Sequence, residues 1–180
     1  MTPKHFLITP PAAGEYNPYY DEYIRRVPEG DVLAFLEVQL NHTLDTLRGL
    51  SEAQANACPA PGEWNIKQII GHLSDTERIF AYRALRIARG DKVPLPGFEQ
   101  NIYVENGGFE LRSLVDLLDE FAVIRRSNLM LFRNFSPEAV LRVGTASDNP
   151  VSVRALIYCC AGHEHHHMES IRTVYLGMAA

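Results

Sequence analysis

Asn65-Ile-Lys-Gln-Ile-Ile-Gly-His-Leu-Ser-Asp-Thr-Glu-Arg-Ile-Phe-Ala-Tyr-Arg-Ala-Leu-Arg-Ile-Ala-Arg-Gly90 is the stretch from which the fold is read. Ile66, Ile69, Ile70, Leu73, Phe80, Ala84, Ile87 and Ala88 form one stripe, so the spacing predicts an amphipathic helix over residues 65–89. Asn65 with Gln68 three residues on has the form of a capping box. Pro59, Pro61 and Gly62 end the loop before it, and Gly90 stands where a C′ glycine stops a helix.

Three more helices follow from the same pattern. One runs over residues 31–50, capped by Asp31, with Val32, Leu33, Leu36, Leu40, Leu44 and Leu47 at spacings of three and four. Another covers residues 110–135, with Leu114, Leu117, Leu118, Phe121, Ile124 and Leu131, and is closed by Ser136-Pro137. The last begins near Ser152 and reaches about Leu176, where Gly177 ends it. Residues 1–29, rich in Pro, Gly and Tyr, read as an irregular arm packed by its tyrosines. Val140 to Val143 have the character of a short strand with no clear partner.

Four helices of about 20 residues each make an all-α four-helix bundle the natural architecture, in one domain spanning residues 1–180. The second and third helices are separated by about 20 residues rich in Pro, Gly and Asn, far more than antiparallel neighbours need. Such a connection lets these two helices run parallel, and it can also fold over one end of the bundle to build a pocket.

Composition narrows the function. The chain has 180 residues, 46% hydrophobic and 22% charged, with a formal net charge of −5. No basic stripe points to nucleic acid, and Arg25-Arg26 and Arg125-Arg126 read as ordinary surface charges. No apolar run approaches the roughly 20 residues that span a bilayer. The N-terminus lacks a signal-peptide h-region. Three cysteines, Cys58, Cys159 and Cys160, argue against a disulfide framework and for a reducing cytoplasm.

The chemistry gathers at Gly162-His163-Glu164-His165-His166-His167-Met168, inside the last helix. His163 and His167 are one turn apart, about 40° around the axis, at the centre of the apolar stripe. His165 points the other way, to solvent, and His166 lies at the stripe's edge. Two imidazoles on a core face need partners for their ring nitrogens, and a shared metal ion supplies one to each. His72, on the shoulder of the second helix with Thr76, Ile79 and Arg83, is the best third ligand; His5 and His42 are expected to be exposed. Three neutral imidazoles leave an open position, the mark of a catalytic or exchangeable site. Cys160 reads as a small buried hydrophobe. His163-Glu164-His165-His166-His167 also satisfies H-E-x-x-H, but no downstream ligand and no substrate-holding strand accompany it, so the protease reading is set aside.

Taken together, Pro61-Gly-Glu-Trp-Asn-Ile-Lys-Gln68, Gly71-His-Leu-Ser-Asp-Thr-Glu77 and Ala161-Gly-His-Glu-His-His-His167 resemble the DinB-like superfamily of DNA-damage-inducible proteins, which includes YfiT-like metal-dependent hydrolases and the bacillithiol and mycothiol S-transferases. The resemblance covers nearly the whole chain after the arm. It implies an up-down-down-up bundle and a divalent metal, zinc or nickel, held by His72, His163 and His167. It also implies a homodimer, and a low-molecular-weight thiol for those members that transfer one; the family name is no sign of DNA binding.

On these grounds the expected function is small-molecule hydrolysis or thiol transfer at a three-histidine metal. The alternative is a stress-related bundle that binds metal or a small molecule without turnover. Around the metal, Arg83 could bind an anionic substrate group or be an ordinary surface or salt-bridged arginine. Pro94 to Tyr103 form the expected lid, with Phe98, Glu99 and Asn101 at the pocket mouth. Asp75 could orient an imidazole or join a surface network. Thr76 shares the His72 shoulder, His166 could assist or pack, and Trp64 reads as a core anchor at the entrance of the second helix.

Overall fold

The computed structural model describes residues 6–178. Four long helices carry the fold: α2 (Val32–Leu47), α4 (Ile66–Ala88), α6 (Leu114–Arg133) and α8 (Val153–Ser170). Short helices lie between and before them: α1 (Asp21–Arg25), α3 (Glu52–Ala55), α5 (Gln100–Gly107) and α7 (Pro137–Val140). The Asp31 carboxylate accepts from the Leu33 and Ala34 amides to start α2. Asn65 and Gln68 close a reciprocal capping box at 2.9 Å in both directions. Gly90 is left-handed at φ +85°, where a β-carbon would be strained. The last turn of α8 widens into a π-turn over Ile171–Tyr175 before Gly177.

Side-chain pairs fix the helix directions. Lys67 near the start of α4 donates to the Glu110 carbonyl just before α6, and Glu77 further along α4 meets Arg125 further along α6, so these two run parallel. Arg133 pairs with Glu37 and Arg48 with Asp119, so α2 and α6 are antiparallel. Gln39 donates to the Ala161 carbonyl and Thr43 to Glu164, which makes α2 and α8 parallel. The order is therefore up-down-down-up, and the long second connection is what lets α4 and α6 point the same way.

Several elements depart from the sequence reading. The expected strand over Val140 to Val143 is instead the end of α7 followed by a hairpin, β1 (Val143–Ala146) with β2 (Asn149–Ser152). The partner was the next segment, joined through Ser147 and Asp148, both at positive φ as a two-residue hairpin turn demands. Leu95 from the long connection bridges to this hairpin, donating to the Thr145 carbonyl and accepting from the Ser147 amide. The arm is not wholly irregular: a 3-10 turn (Pro18–Tyr20) leads into α1, which packs on α8. Arg125 is not a surface charge but fully buried, because it follows Leu118 and Phe121 on the core stripe of α6. Among the described residues no helix is long and apolar enough to cross a membrane.

Candidate metal centre

Two helices bring three imidazoles to one point. α4 contributes His72, and α8 contributes His163 and His167 one turn apart. His72 Nε2 lies 3.1 Å from His163 Nε2, and His167 Nε2 lies 3.1 Å from the same atom. All three donor atoms fall within 4.8 Å of one another, and among the described residues they are the one group of three or more His, Cys, Asp or Glu to converge this way. Close approach around them depends on missing β-carbons. A β-carbon on Gly71 would sit 2.3 Å from the Phe109 ring, and one on Gly162 would sit 1.9 Å from the Tyr23 carbonyl oxygen.

Burial keeps these imidazoles neutral. It pushes His72 down to about 4. Burial, with His72 and His166 nearby, takes His167 to about 3. His163 falls well below the ordinary histidine range, first through burial and then through its imidazole neighbours. Thr76 Oγ1 stands 3.4 Å from His72 Nδ1, where it can accept a hydrogen bond from Nδ1–H and leave the Nε2 lone pair free.

The donor set fits a divalent cation. Zn–N bonds of about 2.0–2.1 Å in a tetrahedral site put ligand nitrogens about 3.3 Å apart, close to the spacing here. The alternative, hydrogen bonding among the three rings, is poor. His163 Nε2 faces two other Nε2 atoms at once and has either one proton or one lone pair to offer them.

Two cavities open on the cluster. One, of about 230 Å³, has His72, Thr76 and His163 at its base and Tyr20, Tyr23 and Phe98 among its walls. The other, of about 360 Å³, is lined by Trp64, Asn101, His166, His167 and Tyr175. The Trp64 ring centroid is 4.9 Å from that of His72, so this residue flanks the cluster as well as anchoring the entrance of α4.

Residues 36–171 match the sequence signature of the DinB superfamily. The chain belongs to the DinB superfamily. No curated protein matches it significantly. Among solved structures it is similar to YfiT from Bacillus subtilis, with a TM-score of 0.72 at 14% identity, covering 94% of each chain. YfiT is described as a probable metal-dependent hydrolase with an unusual four-helix bundle topology. At that identity the likeness speaks for the fold.

Within this DinB-superfamily bundle the other expected site residues separate. Phe98 and Glu99 line the first cavity, while Asn101 lines the second, because α5 begins between them and turns the chain. Asp75 faces Arg78 at 3.4 Å and leaves the imidazole to Thr76. His166 stands edge-on to Tyr23, with centroids 5.4 Å apart, at the rim of the cluster. Arg83 is buried beneath the long connection, donating to the Pro96 carbonyl at 2.6 Å and to Ser147 Oγ at 3.2 Å. Cys159 and Cys160 are buried and free, and burial raises both thiols. His42 is exposed, and His5 lies outside the described residues. His165 faces solvent only in part. It is half-buried, and it lines a groove with Gln39 and Thr43 because α2 covers that flank of α8.

The sequence reading missed two features. Tyr23, from an arm with no strong helical pattern, puts its ring 5.4 Å from His163. Beneath the histidines, Arg125 makes a two-pronged pair with Glu77 at 2.6 and 2.7 Å and meets Glu164 at 2.7 Å. Helical phase alone could have found Arg125, since it sits four residues after Phe121 on the leucine stripe.

Proposed function

We propose that this DinB-superfamily protein is a metal-dependent hydrolase of small molecules, with His72, His163 and His167 holding a divalent cation, zinc or nickel. The observation that carries the reading is the convergence of three neutral imidazole nitrogens at the base of two cavities. Bound there, the cation supplies Lewis acidity and lowers the pKa of a water or thiol. The chain's own residues do the rest. Thr76 sets the His72 tautomer, Trp64 and Tyr23 shield the cluster from bulk water, and Phe98 and Glu99 border the substrate's entry. No carboxylate joins the cluster among the described residues, so we assign proton movement to His166, the remaining imidazole at its rim. On the family's pattern we extend the reading to a cytoplasmic homodimer, with thiol transfer as the second activity. The second activity is supported by the two separate cavities, one lined by His72 and His163 and the other by His167, which give a thiol and its acceptor a place each.

The test is a screen of the zinc- and nickel-loaded untagged protein against small esters, amides and thiol-plus-electrophile pairs. Turnover that chelator treatment abolishes and the metal restores supports the reading. Full metal occupancy without turnover of any class favours a bundle that binds and does not catalyse.

A further inference from the structure

Among the described residues two arginines are buried, and they are treated differently. Arg125 has two glutamates against its guanidinium. Arg83 is 3% exposed and has no Asp or Glu partner among the described residues. Its hydrogen bonds, to the Pro96 carbonyl and Ser147 Oγ, both use Nη2, and Tyr20 lines the same small cavity. A guanidinium carries five N–H donors, so these neutral contacts, with the Phe98 ring centroid 5.9 Å from the guanidinium carbon, leave donors free and the charge without a counter-ion. A buried charge without a counter-ion is costly, and the usual remedy is a carboxylate or phosphate.

The surroundings show where such a group would come from. Arg83 lines a small cavity of about 50 Å³ with Tyr20, Ser147, Asn149 and Cys159. Tyr19, Tyr20 and Ser147 border this cavity and also the larger one that ends on His72 and His163. Thr76, Phe80 and Arg83 follow His72 along one face of α4, and eleven residues of helix span about 16 Å. One substrate can therefore reach from the histidines, past an aromatic wall, to the guanidinium.

We propose that Arg83 and Ser147 form a carboxylate-binding subsite, so that the molecule acted on at the histidine cluster carries an acid group at the end remote from the reacting bond. The subsite's size matches a carboxylate better than a bulkier anion. Its partners, a guanidinium and hydroxyls, are donors suited to carboxylate oxygens. The inference rests on the histidine cluster being the reaction centre, but the binding it predicts does not need the metal.

The experiment compares hexanoate with hexanamide, equal in length and different in charge, as ligands of the full-length protein by titration calorimetry and NMR shift mapping. Metal-free protein is used first, so that no cation captures the carboxylate, and zinc content is measured separately. Wild type is expected to prefer hexanoate by about tenfold or more. Arg83→Gln should erase the preference while zinc content stays at the wild-type level, and Arg83→Lys should keep part of it. Equal affinity for the two ligands in wild type, or no binding of either at millimolar concentration, overturns the subsite. So does a preference that survives Arg83→Gln. If Arg83→Gln does not fold, Arg83→Lys decides: a weakened preference supports the subsite and an unchanged one overturns it. Loss of zinc binding by wild type would sink the metal reading alone, and it would leave the hexanoate result standing.

Discussion

Gly162 passes so close to Tyr23 that a β-carbon would lie 1.9 Å from the Tyr23 carbonyl oxygen. The obstacle is backbone and cannot rotate away. Gly162→Ala therefore has to push α1 off α8, taking the Tyr23 ring from beside His163 and opening the first cavity. We expect a loss of about 1–3 kcal/mol in urea denaturation, as for other overpacked sites. Gly49, with nothing near its added β-carbon, is the control that should tolerate alanine far better.

Each of His72→Ala, His163→Ala and His167→Ala should bring bound zinc from near-stoichiometric to trace levels, read by mass spectrometry of untagged protein. Zinc should raise the wild-type melting temperature, since a ligand at a hundred times its Kd stabilises by about 2.7 kcal/mol, and should not raise that of the variants. Thr76→Val should retain the metal at an affinity about 10–100-fold lower, because it removes only the support of the His72 tautomer. Full zinc content in all three alanine variants would refute the site.

Arg125 holds together the helices that carry the histidines. It bonds Glu77 of α4, meets Glu164 of α8 and donates to the Leu36 carbonyl of α2. Arg125→Met should destabilise by about 3–5 kcal/mol, since it strands two buried carboxylates. Adding Glu77→Gln and Glu164→Gln to Arg125→Met should recover part of that loss, which equilibrium unfolding of the single and triple variants would show. A single variant as stable as wild type would remove the network from the account of the fold.

Glu15 ties the arm to the start of α8 through Arg154, whose guanidinium holds the carboxyl down from its ordinary 4.5 to about 2. A depressed folded-state pKa contributes stability that is complete above about pH 4.5 and is lost as pH falls toward 2. Arg154→Ala should therefore cost about 1–2 kcal/mol near neutral pH, allowing for solvent screening, and progressively less as the medium is acidified. Denaturation of both proteins across that range isolates this pair from the other carboxylates. A difference that does not shrink with acid would mean that the arm is held by something else.

The main helices and their caps were legible because their signals are local. Asn65 with Gln68, Asp31 before Val32 and Gly90 after α4 act within a few residues, and the structure uses all of them. The hairpin partner of Val143 was less legible, because a two-residue turn at Ser147-Asp148 lacks the glycine that usually marks it. His165 was assigned to solvent from one stripe on one helix, a reading that cannot know α2 covers the other flank. Asp75 and Thr76 are neighbours in sequence, each about one turn from His72, and side-chain rotamers decide between them: Asp75 turns to Arg78 and Thr76 to the imidazole.

The sequence by itself determined the bundle, the length of its second connection and the three histidines that could meet. Helical periodicity and capping are near-neighbour physics, written in residues three and four apart. Tertiary structure alone decided that the three nitrogens converge, that α1 closes over His163 and that Arg125 is neutralised while Arg83 is not. Those outcomes depend on which helix faces lie together, and the contacts that set them join residues that are dozens of positions apart in the chain.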